Sequence, residues 1–190
     1  VVVPILNEFK PDNIHHIVNH SEARILFAGD IVWENLDEGA MPDLDGVIRV
    51  EDYSLRFSRQ KKLTEARAKL NELFGKKFPE RFRPEDVHYD YDKLDDLALI
   101  NYTSGTTSSS KGVMLPYRSL WTNLKFALGV FGLTPGEQIV SMLPMAHMYG
   151  LAFEFIYEFA SGMHIHFLSR TPSPKIIADA FAEVKPDLII

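Results

Sequence analysis

The chain has 190 residues, of which 46% are hydrophobic and 24% charged, and these proportions are typical of a globular protein with one sizeable core or two small ones. It contains no cysteine, which excludes disulfide bonds and thiolate metal sites. The net charge of −6 gives no reason to expect nucleic acid or an anionic membrane as the main partner.

Short apolar runs alternate with stretches of helical periodicity in the first half of the chain. The strongest helical pattern lies at Lys61–Phe74 and predicts an amphipathic helix. Its apolar face consists of Leu63, Ala66, Leu70, Leu73 and Phe74. We also predict strands at Val1–Ile5, Arg24–Ala28 and Val47–Val50, and helices at Pro11–His20 and Ile31–Leu36. The charged, Pro-containing stretch Gly75–Asp96 predicts a connection between two halves, with its acidic cluster on a solvated face.

The second half repeats the same alternation. Leu97–Ile100 predicts a buried strand, a hydroxyl-rich loop follows, and a helix is expected from Pro116 to Phe131 with proline in its first turn. The remaining predictions are strands at Gln138–Leu143, Met163–Leu168 and Asp187–Ile190, and helices at His147–Ala160 and Pro174–Val184.

This alternation predicts an α/β fold, in which βα units form mostly parallel sheet layers covered by helices. We expect a first α/β portion at residues 1–74, a connection at 75–96 and a second α/β portion at 97–190. Both ends of the chain read as strands cut in mid-run, so we expect an excised fragment. Pro144, Glu154, Glu158 and Gly162 interrupt the longest apolar region, which argues against a transmembrane helix.

The loop after Leu97–Ile100 has the most informative composition. Seven of the eight residues from Thr103 to Ser110 carry a hydroxyl, the eighth is Gly105, and Lys111 follows. Hydroxyls, backbone N–H groups and an ammonium between a strand and a helix are suited to holding phosphate. The spacing is not that of a Walker A loop, and the chain contains no G-x-G-x-x-G. The alternative from composition alone is a flexible Ser/Thr linker.

The stretch Ile100–Leu115 resembles the phosphate-loop signature of the adenylate-forming superfamily, which includes acyl-CoA synthetases, luciferases and adenylation domains of peptide synthetases. It departs from the usual form at Ser108, where glycine is common, and at Ser110, where proline is common. Because neither change removes a phosphate donor, we expect altered loop mobility rather than lost binding. The first half matches long-chain fatty-acyl ligases in pattern, at Val1–Ile5 and Ser21–Phe27.

The segment Leu143–Gly150, with the sequence LPMAHMYG, resembles a second signature of that superfamily. The resemblance implies that His147 lies near the substrate carboxylate. A histidine at a helix N-terminus is held near neutral by the helix dipole and could orient a carboxylate without a fixed charge. The candidate substrate-binding residues are His147, Met148, Tyr149 and Gly150. The helix that follows could line an acyl tunnel or could be ordinary core, through Met148, Leu151, Ala152, Phe155 and Phe159.

The resemblance implies a two-step reaction with ATP, Mg²⁺ and coenzyme A. A carboxylic acid, expected to be a long-chain fatty acid, would form acyl-AMP and then a thioester. Lys111 and His147 would be the catalytic residues, and Thr106 the metal ligand. The phosphates would be held by Thr103, Ser104, Gly105, Thr106, Thr107, Ser108, Ser109, Ser110, Lys111 and Gly112.

The same resemblance sets the expected context of the chain. In the superfamily the adenine-binding strand, the ribose-binding Asp and the small C-terminal domain follow the region equivalent to Ile190, so we expect this C-terminal domain to be absent and the fragment alone to be inactive. We expect no nucleic-acid partner and at most peripheral membrane contact, with the protein in the cytoplasm or at the inner membrane face. The alternatives are a non-catalytic nucleotide-phosphate-binding or interaction module, and a phosphotransferase that releases ADP.

Overall fold

Helices and short strands alternate along the chain and form two compact units. The computed structural model describes residues 1–6, 8–87, 93–103, 110–168 and 170–190. One unit combines Val1–Leu6 with Lys93–Ile190, and the other lies within Asn7–Asp92. The first six residues therefore pack with the second half of the chain, from which they are distant in sequence.

The unit within Asn7–Asp92 is built on a three-stranded sheet in the order β1-β2-β3. β1 (Ile25–Ala28) pairs in parallel with β2 (Gly46–Arg49), which pairs antiparallel with β3 (Leu55–Ser58). The helices are α1 (Pro11–His20), α2 (Asp30–Trp33), α3 (Lys61–Ala68) and α4 (Leu70–Lys77), with 3₁₀ turns at Glu38–Ala40 and Pro84–Asp86. Its most buried apolar side chains are Ile14, Ile17, Val18, Met41, Leu44 and Val47.

The predicted helix at Lys61–Phe74 and the third strand are the main points at which this unit differs from the sequence prediction. The predicted helix at Lys61–Phe74 is two helices, because the backbone of Lys69 leaves the helical region at φ −102° and ψ 14°. No residue of α3 or α4 is buried, so the apolar face of α4 is not covered by its own unit. Strand β3 was not expected; it follows a tight turn in which Tyr53 has a φ of 56°.

The other unit contains four strands and four α-helices among its described residues. β4 (Leu97–Thr103) pairs with β5 (Lys111–Pro116), and β6 (Gln138–Ser141) pairs with β7 (His164–Phe167). The helices are α5 (Tyr117–Val130), α6 (Met148–Leu151), α7 (Tyr157–Ala160) and α8 (Pro174–Val184), with a π-helical segment at Ala152–Ile156 between α6 and α7. Its buried core cluster comprises Ala127, Ile139, Tyr157 and Met163.

The predicted α/β class is confirmed, and the strand pairing adds detail. The pairs β1/β2 and β6/β7 are parallel, as the alternation predicts, whereas β2/β3 and β4/β5 are antiparallel hairpins. The predicted strands at the two ends of the chain reduce to single parallel bridges, Val2 with Leu99 and Leu188 with Ile139. No helix among the described residues has the length and apolar character needed to cross a bilayer.

Candidate functional site

The hydroxyl-rich loop joins two antiparallel strands. Strand β4 before the loop pairs with strand β5 after it, and the register places Thr103 opposite Lys111 and Tyr102 opposite Gly112. This corrects the predicted strand–loop–helix setting, because the whole of β5 lies between the loop and the start of α5 at Tyr117. Cross-strand hydrogen bonds therefore hold the two ends of the loop side by side.

Part of the predicted phosphate site lies in the described structure. Thr103 and Lys111 are exposed, and Ser110 and Gly112 are half-buried. Within the described residues, no carboxylate forms an ion pair with the Lys111 ammonium. The predictions for Ser104, Gly105, Thr106, Thr107, Ser108 and Ser109, including the metal ligand Thr106, lie outside the described residues.

Gly112 permits close packing at the base of this loop. A Cβ at Gly112 would lie 2.9 Å from Cγ2 of Ile100 and 3.1 Å from Cζ of Tyr102. Tyr102 is buried, and its burial raises the pKa of its phenol. Because Gly112 has no side chain, the Tyr102 ring lies against β5 directly beside Lys111.

The second predicted segment forms a turn between β6 and α6. His147 occupies the N-cap position of α6, its backbone N–H donates to the Pro144 carbonyl at 2.8 Å, and its own carbonyl accepts from Leu151 at 2.9 Å. The His147 and Tyr149 side chains are exposed, while Met148 is half-buried. The imidazole is therefore accessible at the start of a helical run, as the sequence predicts, and its contact with a substrate stays a prediction.

Close packing leaves no room for a side chain at Gly150, which the sequence pattern did not indicate. It is buried, and a Cβ there would lie 2.8 Å from the Pro144 carbonyl oxygen and 3.0 Å from Cβ of Leu143. The first turn of α6 therefore lies directly against the turn that precedes it. This close approach sets the direction of the helix and hence the position of His147.

A buried asparagine brings the two predicted segments together. Asn101 lies in β4 of the β4/β5 hairpin, which carries the predicted phosphate loop and is called the phosphate hairpin below. It is 8% exposed, and its side-chain Nδ2 donates to the carbonyl of Ala146 at 2.8 Å. Ala146 immediately precedes His147, so one hydrogen bond ties the strand leading into the predicted phosphate loop to residues 142–147, which we call the histidine turn. Sequence reasoning missed Asn101; the signal available was a lone amide inside an otherwise apolar strand, which needs a partner when buried.

A buried glutamate holds the other end of the same turn. Oε2 of Glu154 accepts hydrogen bonds from Ser141 Oγ at 3.1 Å and from the backbone N–H groups of Met142 and Leu143 at 2.7 Å each. Glu154 is 1% exposed and lies in the π-helical segment, a geometry often found at functional sites. The sequence marked this residue only as an interruption of an apolar region.

Glu158, on the next turn of the helix, is a second buried acid. It is completely inaccessible, and neither carboxylate oxygen has a hydrogen-bond partner among the described groups. Burial, with a smaller contribution from the charge of Glu154, raises the pKa of Glu158 to about 7. Burial therefore favours the protonated, uncharged form of this side chain.

The face predicted to line an acyl tunnel is not one continuous surface. Ala152 is buried, whereas Phe159 is exposed. Phe155 contacts both Phe159 and Phe167, with ring centroids 5.9 Å and 6.4 Å apart. An ordinary buried core therefore accounts for Ala152 but not for Phe159. Binding of an acyl chain to the aromatic cluster stays a prediction.

Comparison with known proteins gives a consistent assignment. The family described as AMP-binding enzyme matches residues 1–190. Long chain acyl-CoA synthetase 6 of Arabidopsis thaliana, a peroxisomal protein, is 33% identical over 162 residues, which cover 78% of this chain and 21% of that protein. Long-chain-fatty-acid–CoA ligase 1 of Cavia porcellus is 29% identical over 159 residues, covering 78% of this chain and 22% of that protein. The chain thus spans about a fifth of the length of these curated relatives.

A solved structure shows the same fold. The long-chain-fatty-acid–CoA ligase FadD1 of Archaeoglobus fulgidus aligns with a TM-score of 0.68 at 24% identity, over 97% of this chain and 33% of that one. The family match extends over every residue that carries the phosphate hairpin, the histidine turn and the buried acids. The chain therefore belongs to the AMP-binding enzyme family.

Proposed function

We propose that the protein containing this chain activates a long-chain fatty acid with ATP and then transfers the acyl group to coenzyme A. The observation that carries the proposal is the link between the two signatures. Thr103 and Lys111 pair across the hairpin where the hydroxyl-rich loop begins and ends. Asn101 of the same hairpin donates a hydrogen bond to the turn that contains His147. Family membership and the names of the two curated relatives support the reaction class and the choice of a long-chain acid.

In the first proposed step, a carboxylate oxygen of the acid attacks the α-phosphorus of ATP. A bond forms between that oxygen and phosphorus, the bond from phosphorus to the α,β-bridging oxygen breaks, and pyrophosphate leaves with the electron pair. Hydroxyls and N–H groups of the loop would hold the β- and γ-phosphates, with the Lys111 ammonium as a point charge over them. Donors placed where negative charge grows lower the barrier, and no protein nucleophile is needed.

His147 would position the attacking carboxylate. Its imidazole is exposed at the start of α6, and its backbone is held by Pro144, Leu151 and, through Ala146, by Asn101. A group held from several sides keeps one orientation, which favours a reactive alignment of acid and phosphate. In the second proposed step the thiolate of coenzyme A attacks the acyl carbonyl carbon, and AMP leaves.

Magnesium would be held mainly by the nucleotide. Within the described ranges, no group of three or more His, Asp and Glu side chains could bind a metal ion. The hydroxyl of Thr106 therefore stays the proposed protein ligand, since Mg²⁺ commonly combines one or two protein oxygens with phosphates and water. When bound, the ion would neutralise charge on the phosphates. The cytoplasmic location likewise stays a prediction.

The proposal is tested by ATP–pyrophosphate exchange in the full-length protein with a long-chain fatty acid. Combined Lys111→Ala and Thr106→Ala should lower the exchange rate on the order of 10²-fold or more, because phosphate donors are lost in the transition state. Lys125→Ala, which removes an exposed lysine from α5, is the matched control and should leave exchange unchanged. Normal exchange in the double variant would refute the assigned roles.

Ligand titration and identification of the released nucleotide separate the alternatives. A non-catalytic module would bind ATP or pyrophosphate, seen as amide shifts within residues 103–112, without exchange in the full-length protein. A phosphotransferase would release ADP, whereas the proposed enzyme releases AMP.

A further inference from the structure

Residues 69–83 combine exposed apolar side chains with positive charge; we refer to them as the basic aromatic segment. The segment contains α4 and the chain that leads from it to the 3₁₀ turn at Pro84–Asp86. It lies outside the hairpin and the histidine turn, in the other compact unit. Nothing in the proposed reaction uses it.

The apolar face of α4 is open to solvent. Leu70, Leu73 and Phe74 occupy positions i, i+3 and i+4 and so share one side of the helix. Their exposed fractions are 48%, 46% and 49%, and no residue of α4 is buried. A helix with such a face normally buries it, and here its own unit does not.

Three phenylalanines extend this face beyond the helix. The ring centroids of Phe74 and Phe78 are 4.9 Å apart, those of Phe78 and Phe82 are 5.0 Å apart, and those of Phe74 and Phe82 are 6.0 Å apart. Phe82 is 48% exposed. The rings form one cluster that remains half in water, so the apolar surface is continuous and not a set of scattered side chains.

Positive charge surrounds this surface. The segment carries five Lys or Arg residues and two Glu residues, in a chain whose net charge is −6. Lys76 pairs with Glu72 and Arg83 with Glu80. Lys69, Lys77 and Arg81 have no acidic partner among the described residues. The Lys77 ammonium lies 5.4 Å from the Phe78 ring centroid, so charge and apolar surface are in direct contact.

We propose that the basic aromatic segment docks on the surface of an anionic lipid bilayer. A short helix with Leu and Phe on one side and Lys at its edges can place its apolar side chains at the acyl boundary while the ammonium groups reach the headgroups. Basic residues near an anionic surface add attraction for each charge. The segment would lie on the membrane surface and would not span the bilayer.

The charges favour lipid over two other occupants. A second copy of the chain would bring two basic segments together, and like charges would repel. A nucleic acid would satisfy the charges but would leave the aliphatic side chains of Leu70 and Leu73 in water, since these side chains offer a base no ring to stack on. The inference does not depend on the proposed synthetase activity, because it rests on a surface outside that site.

Vesicle co-sedimentation of the intact chain tests the proposal. Phosphatidylglycerol–phosphatidylcholine vesicles should bind the chain, pure phosphatidylcholine vesicles should bind it much less, and added salt should weaken the binding. Combined Phe74→Ser and Lys77→Glu should lower the partition coefficient at least about tenfold, because apolar area is lost and one charge is reversed. Combined Lys125→Glu and Phe126→Ser makes the same chemical change on exposed residues of α5 and should have little effect.

A site-specific probe separates docking from a change in folding. Because the chain has no cysteine, Leu73→Cys or Phe126→Cys can carry one polarity-sensitive fluorophore. Emission should shift to the blue with anionic vesicles at position 73 and stay unchanged at 126. Equal binding to neutral vesicles, equal loss in both double variants, or no shift at position 73 would each overturn the proposal. So would retention of vesicle binding by the variant that combines Phe74→Ser with Lys77→Glu.

Discussion

At the scale of single residues, the geometry of the candidate site depends on two glycines, which have no side chain, and on two buried polar residues. Gly112 and Gly150 allow close contacts at the phosphate hairpin and at the histidine turn. Asn101 and Glu154 hold the two ends of that turn by hydrogen bonds. These residues position Lys111 and His147, whose own side chains are exposed.

Gly112→Ala should destabilise the chain by about 1–3 kcal/mol, because the new methyl group would overpack against Ile100 and Tyr102. Gly129→Ala is the matched control, since a Cβ there meets nothing within 4 Å and α5 should gain up to about 1 kcal/mol. Urea unfolding of both variants measures the difference. Equal stability of the two would contradict the packing argument.

Glu154→Ala should destabilise the chain by about 2–4 kcal/mol, because two backbone N–H groups and the Ser141 hydroxyl lose their acceptor. Glu154→Gln keeps an acceptor oxygen without charge and should lose less. Hydrogen exchange gives the local readout: the Met142 and Leu143 amides should exchange faster in the Ala variant, with Leu151 in α6 as reference. Unchanged exchange at 142 and 143 would rule out this role.

At the scale of elements, the buried face of the helical run after His147 differs from the face that the sequence predicted. Tyr157 packs in the core cluster, and Glu154 and Glu158 are buried beside it, while Phe159 points to solvent. The π-helical segment at Ala152–Ile156 inserts an extra residue into the helical repeat. A face derived from a regular 3.6-residue period is therefore displaced after Leu151.

Glu158 should make the chain less stable as pH rises. Its pKa is raised from 4.5 to about 7 in the folded state, so the folded state binds more protons than the unfolded state between these values. The contribution of Glu158 is therefore most favourable below about pH 4.5 and falls by about 3 kcal/mol as pH rises through 7. Glu158→Gln should remove this loss, so that unfolding free energy varies less between pH 5 and 8.

Urea unfolding at several pH values measures this effect. Glu183→Gln, on an exposed position of α8, should keep the pH dependence of the unsubstituted chain. A Glu158→Gln variant with the same pH dependence as the Glu183→Gln variant would show that Glu158 does not titrate in this range.

Helix ends could be predicted well where a local signal marks them. Helix α8 has the predicted bounds Pro174–Val184, because Ser173 accepts from the Ile176 N–H and proline follows in the first turn. Helix α4 shows the limit of the same reasoning. Its periodicity predicted an amphipathic helix, but periodicity identifies an apolar face without identifying what covers it.

At the scale of the molecule, pairings between distant residues complete the site. Val2 donates to the Ala98 carbonyl at 3.1 Å and accepts from the Ile100 N–H at 2.9 Å, so the first residues extend the sheet beside the phosphate hairpin. Asn101 and Ala146 are separated by 45 residues. Both contacts involve β4, which is therefore held by residues distant from it in sequence.

Deletion of residues 1–6 should weaken β4 in particular. The Ile100 amide loses its acceptor and should exchange faster, and the free energy of unfolding should fall by about 1–3 kcal/mol through the two lost backbone bonds. Amides of β1 and β2, which lie in the other unit, provide the reference. Unchanged protection of Ile100 would contradict the pairing.

The sequence alone was sufficient for the α/β class, for most helices and for the recognition of the family, because hydroxyl-rich composition and apolar spacing are properties of neighbouring residues. Its phosphate and substrate residues stay predictions, six of them outside the described structure. The antiparallel hairpin, the Asn101 contact and the burial of Glu154 and Glu158 required the folded chain. Strand partners and burial depend on contacts between residues far apart in sequence. A short sequence pattern depends only on neighbouring residues and so does not predict those contacts.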